Sequence, residues 1–299
     1  MNNKPLVSII MNCLNGEKYL KQAIDSLINQ TYDNWECIFW DNNSTDRSKE
    51  IFFSYKDSRL KYFSSNERTT LYKARNLSLQ KTFGEFISFL DTDDYWLSEK
   101  LKKQIEFFNK NEKLNITYGN CFIKNEKWFN KKKKALTNEN MHDGNLYHRL
   151  LNKYFIGLPS IFIRKKIMSN FDERFEIIGD FDLIMRLSRN NNFGVIKEPL
   201  AYYRLHDSNF SLLNKRRHYQ EMKLWKEENI ENQEDISISI KSKFETLVSE
   251  LEFLSLISEG KKLKALKILF GINNNKIKKF KYFLSVFLPL NIIRKFINS

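Results

Sequence analysis

Short apolar runs alternate with amphipathic stretches through the first half of the chain. Leu6–Met11 (LVSIIM), Trp35–Trp40 (WECIFW), Leu60–Phe63 and Glu85–Leu90 read as buried strands. Between the first two, Leu20, Ala23, Ile24, Leu27 and Ile28 recur at helical spacing within Glu17–Asn29. A second helix is expected over about Leu71–Thr82, and a third carries Leu101, Ile105 and Phe108 on one face with Ser98 as its cap. Ser44 or Thr45 is placed to cap a helix after the second strand. Beyond Ile116 the pattern is less regular. It predicts a strand at ITYGNCFI, a solvated loop holding Lys131–Lys134, a strand over Leu158–Ile163 and a helix starting at Phe181. Past Leu213 it is purely helical, with helices expected over Lys215–Glu228 and Ser242–Ile257.

Strand–helix alternation of this kind predicts an α/β fold with a mostly parallel sheet and right-handed crossovers. Ligands of such sheets bind beyond the carboxyl ends of the strands. Three polar clusters fall there: Asn12 after the first strand, Asp41 after the second, and Asp91-Thr92-Asp93-Asp94 after the fourth. Topology therefore brings them to one edge. Three carboxylates within four residues repel one another unless a cation neutralises them. Mg²⁺ or Mn²⁺, held by one or two carboxylates and by substrate phosphates, suits that arrangement.

Composition narrows the chemistry. The 299 residues include only nine glycines, and neither G-x-G-x-x-G nor G-x-x-x-x-G-K-[ST] occurs, so no glycine-rich phosphate cradle is expected. Cys13, Cys37 and Cys121 are odd in number and lack C-x-x-C spacing, which argues against a disulfide framework or a zinc site. A phosphatase D-x-D-x-[TV] reading of Asp91 fails at Tyr95. A calcium-loop reading fails at Trp96 and Lys102, which stand where glycine and glutamate are required. No signal-peptide pattern precedes the first apolar run, so a cytoplasmic location is expected.

The net charge of +14 is concentrated at one end. Residues 260–299 hold ten Lys/Arg and no acid, leaving 40 basic against 36 acidic side chains elsewhere. Tyr282–Ile293 is uncharged but shorter than the ~20 residues a membrane span needs. Lysines beside Phe280, Phe283, Phe287 and Leu288 suit an interfacial segment on anionic lipid. A peripheral contact of residues 260–299 with the inner face of the cytoplasmic membrane is the expectation, with the alternative that these residues form a helix packed on the rest of the chain.

The ordered motifs resemble family 2 glycosyltransferases of the GT-A fold. Val7-Ser8-Ile9-Ile10-Met11-Asn12-Cys13-Leu14-Asn15-Gly16 and Ala23-Ile24-Asp25-Ser26-Leu27-Ile28-Asn29-Gln30-Thr31-Tyr32 look like the family's opening. Asp41-Asn42-Asn43-Ser44-Thr45-Asp46 is similar to its D-D-G-S-T-D turn, Ala74-Arg75-Asn76 to A-R-N, and Phe89–Asp94 to F-L-D-x-D-D. Gly179-Asp180-Phe181-Asp182 and Tyr203-Arg204-Leu205-His206 look like E-D-x-D and Y-R-x-H. Two departures stand out: Asn42 and Asn43 replace Asp and Gly, and Gly179 replaces Glu.

The resemblance implies a GT-A domain over 1–212 and a helical, basic region over 213–299. It implies that Asn12, Leu14, Asn15 and Asp41 contact the donor's base and ribose, Arg75 its base or diphosphate, and Asp91 and Asp93 its ribose and metal. Asp93, Asp94 and His206 are the implied metal site, for Mn²⁺ or Mg²⁺, and Asp180 the implied catalytic base. The implied reaction is metal-assisted, inverting transfer from a nucleotide-diphosphate sugar, a UDP-sugar first, to a hydroxyl of a glycan or lipid-linked glycan in bacterial surface-polysaccharide (O-antigen or capsule) synthesis. Two rivals are a sugar-nucleotide nucleotidyltransferase, which normally carries a basic, glycine-rich first loop, and a non-enzymatic nucleic-acid or membrane-binding module. No nucleic-acid partner is expected.

Overall fold

The structure is a computed structural model that describes residues 4–125, 132–134, 141–207, 209–272 and 282–286. These fall into two compact units, one within residues 1–147 and 154–206, the other within 148–153 and 207–299.

The first unit is built on a ten-stranded mixed sheet. Strands β1 (Val7–Cys13), β2 (Trp35–Asp41), β3 (Leu60–Ser64) and β4 (Phe86–Phe89) run parallel in the order β3-β2-β1-β4, as alternation requires. Helices α1 (Glu17–Ile28), α2 (Ser48–Phe53) and α3 (Leu71–Leu79) make the crossovers. β1 and β2 are buried on both faces, which is why they read as unbroken apolar runs rather than alternating ones. Trp35, Phe39 and Phe86 fill the core with Leu20, Ile24 and Leu27 of α1. Trp40 and Trp96 are buried as well.

The sheet continues through β9 (Phe162–Arg164), β6 (Ile116–Asn125), β10 (Asn192–Leu205) and the two-residue β5 (Tyr95–Trp96). β9 is antiparallel to both β4 and β6, so the sheet is mixed at this point. The predicted strand over Leu158–Ile163 begins instead with a tight helical turn at Leu158–Ser160 and becomes strand only at Phe162. Lys132–Lys134, read above as loop, form β7 and pair antiparallel with β6. The hairpin partner decides that, since local charge disfavours a strand. β8 (Gly144–Asn145) pairs with β10. Helices α4 (Lys100–Lys110) and α6 (Gly179–Asn190) complete the unit; α5 (Tyr147–Asn152) falls, from residue 148 on, in the second.

The predicted caps are replaced. Glu99 precedes α4 and Arg47 precedes α2, neither with a side-chain cap, so Ser98, Ser44 and Thr45 do other work. The second unit contains α7 (Phe210–Leu213), α8 (Lys215–Asn229), α9 (Ile238–Ser258) and α10 (Lys262–Gly271). Trp225 of α8 packs on Phe244 of α9, and Phe253 and Ile257 of α9 meet Ala265 and Leu269 of α10. Of the basic, aromatic segment expected to lie on lipid, Phe280, Phe287, Leu288 and the rest of the uncharged run past Val286 lie outside the described residues.

Candidate active site

The register of the parallel strands sets the site. Cys13 lies opposite Asp41, so β1 and β2 end together, while β4 ends at Phe89 opposite Ile10 and its following acidic loop runs on beside the end of β1. Gly16 then comes so close to the acidic loop that a Cβ there would sit 3.0 Å from Thr92 Oγ1. The β1–α1 turn is stitched to the β2–α2 loop: Asn15 N donates to Ser44 Oγ at 3.0 Å, and Thr45 N donates to Asn15 Oδ1 at 2.8 Å. Asn15 takes φ +55° and Asn43 φ +65°, left-handed positions that asparagine tolerates better than most residues. That explains why Asn43 can stand where the family turn has glycine.

The polar residues expected to bind the donor's base and ribose are anchored by hydrogen bonds. Asn12 Nδ2 donates to Ser78 Oγ at 3.0 Å, while its buried Oδ1 has no hydrogen-bond partner. Leu14 is exposed beside it. Asp41 accepts from Ser44 N at 2.8 Å and from the Tyr62 hydroxyl at 2.7 Å. Asn42 is buried, accepting from Thr69 N and donating to Thr69 O. An aspartate could not make that second bond.

One face of α3 organises the rest. Tyr72, Arg75 and Asn76 are spaced i, i+3, i+4 and so point the same way. Asn76 clamps the backbone of Phe171, donating to its carbonyl at 3.0 Å and accepting from its N–H at 2.8 Å. Arg75, 2% exposed, donates to Asp91 Oδ1 at 2.6 Å. Burial opposes its charge, and Asp91 overcomes that and holds the guanidinium protonated. Tyr72 reaches the first turn of α6, donating to Ile177 O at 2.9 Å and Asp180 Oδ1 at 3.2 Å. Burial raises the Asp180 carboxyl above its ordinary value, with Arg75, the Phe181 N–H and Tyr72 partly offsetting it. A carboxyl so poised is a competent proton acceptor.

The end of β10 supplies the last piece. β5 pairs with Ala201 and Tyr202, bringing the following residues to the acidic loop. Arg204 Nε donates to Asp93 O, and Arg204 N donates to Asp94 Oδ1, both at 2.8 Å. His206 Nε2 lies 2.9 Å from Asp93 Oδ2. Asp94 is buried: its Oδ1 accepts that backbone amide while its Oδ2 has no hydrogen-bond partner, and burial with Asp93 and Asp91 nearby pushes its carboxyl well up. Of the expected set Asp93, Asp94 and His206, Asp94 faces the Arg204 amide, and among the described residues no three acidic, histidine or cysteine side chains are grouped to hold an ion. The pair Asp93 and His206 does come together. Tyr72 and Arg204 were not singled out from the sequence. Arg204 lay within the Y-R-x-H element, and the only signal for Tyr72 was its place one turn before Arg75.

The comparisons with known proteins bear on this geometry. The sequence model described as Glycosyl transferase family 2 matches residues 8–171, more than half of the chain. The chain belongs to that family. The E. coli glucosyltransferase WfgD, described as UDP-Glc:alpha-D-GlcNAc-diphosphoundecaprenol beta-1,3-glucosyltransferase, is 32% identical over 209 residues, covering 69% of this chain and 79% of WfgD. Some other curated relatives are matched over about half their length. S. aureus TarS 1–349 in complex with UDP-GlcNAc superposes with a TM-score of 0.63 at 19% identity, covering 94% of this chain and 79% of that one. The mannosyltransferase PcManGT of Pyrobaculum calidifontis, in complex with GDP-Man and Mn²⁺, gives 0.60 at 12% identity, covering 99% and 86%. These likenesses show the GT-A fold. This family 2 member is thus a glycosyltransferase, and the nucleotidyltransferase and binding-module rivals give way.

Proposed function

We propose that this glycosyltransferase moves one sugar from a UDP-sugar to a hydroxyl of a lipid-linked glycan, with inversion, during bacterial surface-polysaccharide assembly. The convergence of Asp93 with His206, and of Arg75 with Asp91 and Asp180, at one sheet edge is the observation that carries it. The likeness to WfgD over most of its length supports the donor and acceptor classes. Residues 1–212 act as the transferase domain and 213–299 as a helical, basic appendage.

Asn12, Leu14, Asn15 and Asp41 bind the base and ribose. Asp41 already accepts two hydrogen bonds, yet a carboxylate has about four acceptor sites and retains capacity for ribose. Arg75 acts through Asp91, holding that carboxylate toward the donor. Asp93 and His206 offer one oxygen and one nitrogen side by side, a donor set that fits Mn²⁺ or Mg²⁺ when phosphate oxygens complete the shell. Such an ion offsets the charge that develops on the departing diphosphate. Asp180 takes the proton from the acceptor hydroxyl as its oxygen attacks the anomeric carbon. The new C–O bond forms as the bond to the diphosphate oxygen breaks, and the electron pair leaves with UDP. No nucleophilic side chain is needed.

A membrane-side location draws support from α10. Leu263 (80% exposed), Lys267 and Phe270 (72% exposed) share a helix face, with Lys264 beside it. The test of the whole reading is nucleotide release from UDP-, GDP- and dTDP-sugars, with Mn²⁺, Mg²⁺ or EDTA, and with a GlcNAc-diphospholipid as acceptor. Acceptor-dependent, EDTA-sensitive release from one UDP-sugar, lost in Asp93→Ala and Asp180→Asn, is expected. Turnover that persists in EDTA removes the metal, and turnover that survives Asp180→Asn removes the base.

A further inference from the structure

Gly179 and Tyr72 are a matched pair. A Cβ on Gly179 would lie 2.6–2.7 Å from three ring carbons of Tyr72, closer than packed atoms can approach. The ring cannot easily yield, because it is stacked on Phe171 at 5.4 Å with an interplanar angle of 24°, and Phe171 is itself pinned by Asn76. On its third side the Arg75 guanidinium carbon lies 5.4 Å from the ring centre. The loss of a side chain at 179 therefore lets an aromatic ring pass beneath the first turn of α6. Its hydroxyl arrives between Ile177 O and Asp180 Oδ1.

We propose that Tyr72 is the positioning residue of Asp180, fixing the carboxylate's orientation through its hydroxyl, and that Gly179 is present to admit its ring. This rests on the reading of Asp180 as the base. The hydroxyl has one proton and two acceptors, 2.9 and 3.2 Å away. While Asp180 is ionised it shares that proton. Once Asp180 has taken a proton from the acceptor sugar, the Tyr72 proton can rest wholly on the Ile177 carbonyl, so the bond favours the ionised base and releases it without a steric change. Among the described residues, the other charged or titratable groups that act on Asp180 are Arg75 from α3, Asp91 after β4, Tyr154, and Tyr203 from β10. Of these, only Arg75 shares with Tyr72 the effect of favouring the carboxylate.

Tyr72→Phe keeps the ring and removes only the hydroxyl. Carboxyl ¹³C NMR of the full chain, with the Asp180 signal assigned by its absence in Asp180→Asn, reads the titration directly and needs no substrate. The Asp180 midpoint is expected to move upward in Tyr72→Phe. With the nucleotide sugar turned over in the panel above, kcat is expected to fall about tenfold while the donor KM stays within about twofold. The acidic limb of the rate profile should shift upward with the midpoint. Gly179→Ala should lower the melting temperature in the Tyr72 background and cost much less in Tyr72→Ala, since the coupling is steric. An unchanged midpoint and wild-type turnover in Tyr72→Phe, with Asp180→Asn inactive, overturn the role of Tyr72 alone. Full turnover in Asp180→Asn removes the base, and this proposal with it.

Discussion

The Arg75–Asp91 pair offers a test in which burial predicts an asymmetry. Arg75 is 2% exposed, whereas Asp91 is 36% exposed, and the two meet at 2.6 Å. Deleting the anion by Asp91→Asn strands a buried guanidinium, a loss in the range of about 3–5 kcal/mol for a broken buried pair. Deleting the cation by Arg75→Met leaves a carboxylate that water can partly solvate. Screening reduces that cost to about 2 kcal/mol. Asp180 also loses its favourable cation in Arg75→Met, but it can neutralise by protonating rather than remain a buried charge. The double variant should cost less than the sum of the singles, with a coupling of about 1–3 kcal/mol. For a unit of about 200 residues, 2 kcal/mol corresponds to a drop of about 4–8 °C in melting temperature. Guanidinium denaturation followed by fluorescence of the buried Trp35, Trp40 and Trp96 reports on the sheet itself. Equal costs for the two single variants, or a coupling near zero, would refute the reasoning, because both follow from the difference in exposure.

Three further outcomes follow from other parts of the fold. Burial would raise Glu36, but the Lys61 ammonium, the Ser8 hydroxyl and the Phe83 N–H overcome it and hold the carboxyl below 4.5. Its contribution is therefore fully present above pH 4.5 and lost as pH falls through the folded value, so the stability gap of about 1–3 kcal/mol between wild type and Glu36→Gln should close in acid-denaturation curves. Gly119→Ala drives a Cβ into Leu200 Cγ and Cδ1 between β6 and β10 and should cost about 1–3 kcal/mol in urea unfolding, with Leu200→Ala in the same chain restoring part of it. His206→Ala should weaken Mn²⁺-dependent UDP binding by about 10- to 100-fold in calorimetry while leaving metal-free binding unchanged, since it removes one of two side-chain ligands proposed for the ion.

Local pattern alone located β1, β2, β3, β4 and β6 and helices α1, α3, α4, α8 and α9 to within a few residues, because their periodicity is sustained and their apolar faces are continuous. It also put Asn12, Asp41 and the Asp91–Asp94 loop at the ends of parallel strands, and parallel topology then forces those ends to one edge. What it could not show depends on partners distant in the chain. β10 contains Gly194 and Pro199 and its register shifts around the proline, so it has no clean alternation and is a strand because β6 pairs with it. That pairing carries Arg204 and His206 to Asp93, 113 positions before His206. The division of labour between Asp93 and Asp94 is likewise tertiary: two adjacent aspartates look alike in sequence, and only the Arg204 amide turns one inward. The departure at Gly179 is the clearest case. In sequence it is a missing glutamate; in the folded chain it is the space occupied by Tyr72, a residue 107 positions earlier whose ring no local pattern could have placed there.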